Sequence, residues 1–189
     1  MMKQTVKIRC KNNGETKEIA IGSTLKEAYE AFGLSMEFGP INATVNNRTE
    51  GLNYRLYHNK DVEYFDLHSA TGERCYMRTL FFVLCKSVHD LYPDSKVVID
   101  IPVSNGYYCN LMLGHDVTET DVTRIRKRMR QLIDAKLPIR RYEVPTEEAV
   151  RIFCSRGDKA KAKLLRSTGK LYTTYYEIDD LSLIHISEP

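Results

Sequence analysis

The side chains with most to offer a ligand are cationic and aromatic. Residues 124–170 hold fifteen Lys/Arg and five Asp/Glu, leaving thirteen basic and twenty acidic residues in the rest of the 189-residue chain. That concentration, which includes Arg124, Lys127, Arg128, Arg130, Arg140 and Arg141, suits a polyanion such as RNA or a nucleotide. A solvated helix face is the other reading the spacing leaves open. Tyr107 and Tyr108 are neighbouring aromatics of the kind that stack on a base or sugar. Arg78 carries a planar fork that can meet phosphate or carboxylate bidentately.

Other chemistries lack their residues. Zinc needs three or four converging His, Cys or carboxylate ligands; His68, His89 and His115 have no partner at ligand spacing, so no metal site is expected. Ser167-Thr168-Gly169-Lys170-Leu171 has a Gly-Lys pair but neither the earlier glycine nor the following hydroxyl of a phosphate-cradling loop. The five cysteines (Cys10, Cys75, Cys85, Cys109, Cys154) are odd in number, scattered and free of C-x-x-C, which fits reduced thiols in a cytoplasmic protein. Cys85 reads as a small packed apolar group. Cys75, near a helix start, is open to a lowered pKa.

The elements that must position these groups follow from pattern. Hydrophobic content of 42 % and charged content of 28 % suit a soluble globular chain of one or two domains. No apolar run reaches membrane-span length, and the N-terminus has no apolar signal core. Thr5 to Cys10 alternates as a half-buried strand. Asn12-Asn13-Gly14 turns it into a second strand, Lys17 to Ile21, with Ile19 and Ile21 inward. Thr24-x-x-Glu27 is a capping box for a helix ending at Gly33. Ala43–Val45, an Asn46-Asn47 turn and Asp61–Leu67 complete a mixed sheet with one helix across it. A long helix is predicted over Glu73–Leu91, with Tyr76, Leu80, Val83, Leu84, Ser87, Val88 and Leu91 along one side. Strands at Lys96–Ile101 and Tyr107–Leu113 join through Asn105-Gly106. A helix over Thr118–Leu137 has the stripe Val122, Ile125, Met129, Leu132 and Ile133. The strand Ile139–Val144, a helix from Pro145-Thr146-Glu147, a short basic helix over Gly157–Ser167 and a Tyr-rich strand over Lys170–Ile178 complete the series.

Two resemblances bear on function. Gly22-Ser23-Thr24-Leu25-Lys26-Glu27-Ala28, Ala43-Thr44-Val45-Asn46-Asn47, Leu52, Leu56 and Asp61-Val62-Glu63 resemble a TGS domain, the β-grasp module of threonyl-tRNA synthetases, some GTPases and stringent-response enzymes. Leu91-Tyr92-Pro93-Asp94 and Gly106-Tyr107-Tyr108-Cys109-Asn110 resemble the second N-terminal, editing domain of threonyl-tRNA synthetases. In that family a His-x-x-x-His pair opens the preceding helix; counted back from Leu91, its positions fall on Arg78 and Phe82. Guanidinium and phenyl offer no lone pair to a metal. Lys161 matches a lysine of the family's cleft. The resemblance therefore implies an α+β fold: a TGS-like β-grasp domain over 1–67, then a threonyl-tRNA-synthetase editing-like α+β domain over 68–180. Its cleft would include Arg78, Phe82, Tyr107, Tyr108 and Lys161, with no catalytic or metal-binding residue.

Read together with Ser167-Thr168-Gly169-Lys170-Leu171-Tyr172-Thr173-Thr174-Tyr175-Tyr176, the chain looks like the N-terminal half of bacterial nucleoside kinases of the uridine-kinase type. That resemblance implies an accessory region without cofactor, able to bind nucleoside, nucleotide or RNA or to hold subunits together. A downstream P-loop kinase domain would be its partner and would use ATP and Mg²⁺. The alternatives are a synthetase-type editing or aminoacyl-tRNA-binding fragment and a stand-alone TGS RNA-binding module. Residues 181–189 resemble a translated sequencing adapter, so the natural chain is expected to continue past Asp180, with His185 carrying no role.

Overall fold

The computed structural model describes residues 4–104 and 106–184, and the chain falls into two compact units that divide between Leu80 and Phe81. Asn105 of the expected Asn-Gly turn and His185 of the expected tail lie outside the described residues.

The first unit is a five-stranded sheet with a helix. β1 (Thr5–Cys10) and β2 (Thr16–Ala20) form an antiparallel hairpin through Asn12–Gly14, where Gly14 sits at φ 75°. α1 (Leu25–Phe32) starts at the Thr24 cap, with both halves of the capping box formed, and ends at Gly33 in the left-handed conformation. β3 (Asn42–Val45), β4 (Arg48–Gly51) and β5 (Lys60–Phe65) complete the sheet in the order β2-β1-β5-β3-β4, with β1 and β5 parallel. This is the β-grasp arrangement. Its core joins Val6, Ile8 and Cys10 of β1 to Leu25, Ala28, Tyr29 and Phe32 of α1 and to Val62 and Tyr64 of β5. Alternation on β1 and helical spacing on α1 aim those side chains at one another.

Two details depart from the sequence reading. Ile21 is exposed, because β2 ends at Ala20 and Gly22 turns the chain at φ 84°. β4 is an additional strand, joined to β3 by Asn46 and Asn47, both at positive φ. Asn tolerates that conformation, and a hairpin turn with both central residues there matches the twist of the flanking strands.

α2 spans Ala70–Leu91, starting three residues before the expected position. Its first turn is fixed by Ser69, whose Oγ donates to Asp66 O at 2.9 Å and accepts from Gly72 N at 3.0 Å. Gly72 is where the chain presses closest: a Cβ there would collide with Asp66 O.

The second unit is α+β as well. β6 (Lys96–Val103) and β7 (Gly106–Met112) form a two-stranded hairpin. α3 (Glu119–Asp134) starts at Thr118 through a capping box with Asp121 and stops before Lys136, which adopts φ 50°. The helix is thus shorter than the expected run to Leu137. β8 (Arg140–Pro145), α4 (Thr146–Ser155), α5 (Lys159–Ser167), β9 (Tyr172–Ile178) and β10 (Leu181–Ile184) follow, with a sheet in the order β10-β9-β8. Ala149, Val150 and Phe153 of α4 pack with Ala162 and Leu165 of α5 and with Tyr175 of β9. Four residues of the segment set apart as a tail thus form β10, paired antiparallel with β9. In the expected stripes, Ile125, Leu132, Val83 and Val88 are buried, whereas Tyr76, Leu91, Val122 and Ile133 are exposed. Among the described residues no helix is long and apolar enough to cross a membrane.

Candidate functional site

In the second unit the C-terminal end of α2 and one face of α3 form a shallow groove. Leu91, Tyr92, Arg124, Lys127, Arg128 and Gln131 line it. The three cations recur at helical spacing 124, 127 and 128, which puts them on one side of α3. A second groove continues past the shared Leu91, Arg128 and Gln131 to His89, Asp90, Pro93 and Asp180.

Behind the groove lies a hydrogen-bonded acid. Asp121 is 6 % exposed. It accepts from Thr118 Oγ1 at 2.6 Å, Tyr92 OH at 2.6 Å and Thr118 N at 3.0 Å, and His115 Nε2 lies 3.2 Å away. The bonds from Thr118 and Tyr92 hold its carboxyl well below the usual carboxylate range. Conversely, the bond to Asp121 holds the proton on Tyr92 and raises that phenol's pKa, with Arg124 beside it opposing the rise. This cluster holds the hydroxyl of Tyr92, whose side chain lines the groove beside Arg124.

A second network runs under Arg128. Its Nε and Nη2 donate to Asp90 Oδ2 at 2.8 and 2.6 Å. Asp90 Oδ1 accepts from Lys86 Nζ at 2.6 Å. Lys86 is 2 % exposed and also pairs with Asp180 and Asp179 at the β9–β10 turn. Arg156 and Lys161 bind the same hairpin: Arg156 Nη2 donates to Glu177 at 2.9 Å and Nη1 to Ser182 Oγ, while Lys161 Nζ donates to Ser182 O at 3.0 Å.

The expected cleft residues have distinct places. Arg78 is exposed on α2 in the first unit, and Phe82, Tyr107, Tyr108 and Lys161 belong to the second. Phe82 is 5 % exposed, so its ring is core. Tyr107 packs edge-on against Phe81 with centroids 4.9 Å apart, and Tyr108, the next residue along β7, is 58 % exposed. Lys161 bonds to Asp158 at 2.9 Å and lies over the Phe153 ring. Of the expected basic patch, Arg124, Lys127 and Arg128 converge on the groove. Arg130 is exposed on α3 away from that lining, Arg141 pairs with Glu143, and Arg140 is exposed on β8.

Cys75 does not have the lowered pKa its position left open. Burial raises it, and the Arg78 charge opposes that only in part. Burial likewise pushes the Cys85 thiol up to about 11, far from a reactive thiolate. Among the described residues no three His, Cys, Asp or Glu side chains converge in the manner of a metal site.

Lys86, Asp90, Tyr92 and Asp121 escaped the sequence reading. Two signals were present: Lys86 and Asp90 stand at i, i+4 on a helix, and Thr118-x-x-Asp121 is a capping pair. The pairing of Lys86 with Asp180, 94 residues away, left no local trace.

Comparison with known proteins decides between the readings the sequence left open. No family model matches the chain. A threonine–tRNA ligase of Natranaerobius thermophilus is 30 % identical over 158 residues, covering 84 % of this chain and 24 % of that protein. One of Acetivibrio thermocellus is 26 % identical over 180 residues, covering 94 % of this chain and 28 % of the relative. Threonine–tRNA ligase 2 of Bacillus subtilis is 27 % identical over 154 residues, covering 82 % and 24 %. The homologues of this chain are N-terminal regions of threonyl-tRNA synthetases. The chain spans 24 to 28 % of the length of these three relatives. They overturn the nucleoside-kinase reading and the transferase chemistry that went with it, and support the alternative of a tRNA-synthetase-type fragment. The downstream ATP and Mg²⁺ depended on the kinase reading.

Proposed function

We propose that this chain is an aminoacyl-tRNA-binding region of threonyl-tRNA-synthetase type. A β-grasp domain over 1–67 precedes an editing-like domain over 68–180, and the second domain holds RNA without hydrolysing its ester. The observation that carries this reading is the alignment of 84 % of the chain with a threonine–tRNA ligase. Arg124, Lys127 and Arg128 on one side of the groove supply the positive surface that a phosphate backbone requires. Arg78 and Phe82, at the positions that resemble the family's histidine pair, offer no lone pair to a metal.

The test is titration of a labelled threonine tRNA transcript at several salt concentrations, beside a deacylation assay on the same tRNA carrying a mismatched amino acid. Binding is expected to weaken steeply with salt. Arg124→Ala with Lys127→Ala should flatten the log–log slope by about one unit for each phosphate that is no longer neutralised. A wild-type chain that does not retain the transcript at low salt, or a double variant with an unchanged slope, refutes RNA binding through this face. Release of the amino acid above the uncatalysed rate refutes the non-hydrolytic part.

A further inference from the structure

Arg128 is mounted on a carboxylate that is itself held from behind. A guanidinium has five N–H donors. Asp90 Oδ2 takes two of them, from Nε and Nη2, while Nη1 lies 3.4 Å from Gln131 Oε1 on the groove lining. The side-on edge is thus used inside the protein, and the end-on edge is engaged only by the long Nη1 bond to Gln131 on the groove lining. Asp90 is 14 % exposed and Arg128 35 %, so the inner end of the pair is sheltered and the outer end is not.

Asp90 bears two interpretations with opposite consequences. As a mask, it occupies Arg128 and cancels its charge; as a mount, it fixes the fork while leaving the charge available. Lys86 decides between them. Its buried ammonium bonds to the other oxygen of the same carboxylate at 2.6 Å, so the Asp90 charge is shared between Lys86 and Arg128 rather than spent on Arg128 alone. Asp180 and Asp179, which balance Lys86 in turn, are 63 % and 67 % exposed and screened by water.

We propose that Asp90 and Lys86 are positioning residues for a phosphate subsite formed by Arg124, Lys127 and Arg128, and that its ligand is a phosphodiester of an RNA backbone. This rests on the RNA-binding reading above. The arrangement fixes the Arg128 fork before the ligand arrives, so less rotamer entropy is lost on binding.

The experiment titrates the tRNA transcript against the whole chain in wild-type, Asp90→Asn, Arg128→Ala and Arg128→Lys forms, with thermal melts to confirm folding. In parallel, the Arg128 Nε–Hε resonance is followed by NMR in wild type and Asp90→Asn. Asp90→Asn and Arg128→Lys should each weaken binding about tenfold, close to Arg128→Ala, because each loses the charge-assisted fork. The Nε–Hε signal should be protected from exchange in free wild type and lost in Asp90→Asn. Unchanged or tighter binding by Asp90→Asn overturns positioning in favour of masking while leaving RNA binding intact. Absent binding by wild type refutes the RNA reading instead. If Asp90→Asn fails to fold, Arg128→Lys and the wild-type resonance decide: full affinity in the one, or rapid exchange in the other, overturns the mount.

Discussion

Replacing Lys86 by Met tests how the buried network is balanced. The substitution removes the ammonium and keeps a stem of similar length. Three carboxylates lose a partner, unequally. Asp180 and Asp179 are mostly exposed and regain water, so their pairs are worth no more than the ~0–1 kcal/mol of surface ion pairs. Asp90 is sheltered but keeps Arg128; it loses one charge-assisted hydrogen bond, worth about 1.5–3 kcal/mol. Relief of Lys86 desolvation offsets part of that. The net loss should be about 1–3 kcal/mol, below the ~3–5 kcal/mol typical of a stranded buried ion. Urea unfolding of Lys86→Met, Asp180→Asn and the double variant measures it, with a coupling below about 1 kcal/mol expected. The pH dependence has a definite sign. Burial pulls the Lys86 pKa down, but its bonds to Asp180 and Asp90 outweigh burial and leave it raised. Its contribution is therefore complete below the ordinary lysine value and is lost as pH rises through the raised one. The bond from Lys86 lowers the Asp180 pKa, so that contribution is complete above the ordinary aspartate value and is lost as pH falls through the depressed one. The wild-type advantage should be flat between about pH 5 and 10. A variant as stable as wild type, or an advantage that collapses near neutrality, refutes this account.

Two further predictions concern the supporting structure. Tyr64, buried against the edge of Tyr29, donates its hydroxyl to Leu25 O at 2.8 Å. Tyr64→Phe should cost about 1–2 kcal/mol, read as a melting-temperature drop of about 4–8 °C per kcal/mol for a unit of this size. Asp121→Asn should remove a stabilisation that in wild type is present above the ordinary aspartate pKa and disappears as pH falls through the depressed value. The two proteins should therefore differ in melting temperature at pH 7 and converge in strong acid; a constant gap down to pH 2 would contradict the role given to Thr118 and Tyr92.

Local chemistry made the first unit legible. The Thr24–Glu27 capping box, Gly33 and the Asn-rich turns each act within a few residues, and each stands where the sequence placed it. β4 was missed because Arg48–Gly51 has no apolar alternation; its strand character comes from pairing with β3. The candidate site was legible only in part. Basic composition marked α3, but charge counting cannot separate Arg128, anchored by Asp90, from Lys127, which has no ion pair among the described residues. Apolar periodicity also placed Tyr76 and Leu91 inward and ignored Lys86, the reverse of what the structure shows. A lysine is buried when carboxylates meet it, and two of these come from the β9–β10 turn.

The close approach at Gly72 sets a limit on what this chain tolerates. Asp66 O occupies the volume that any other side chain would need, and Ser69 Oγ already bonds to both sides of the junction. The passage from β5 to α2 therefore has no slack: an inserted residue, or a single methyl at position 72, could be taken up only by moving the strand end or the helix start. The first turn of α2 is thus locked to the end of β5, and the two cannot be lengthened or shifted independently.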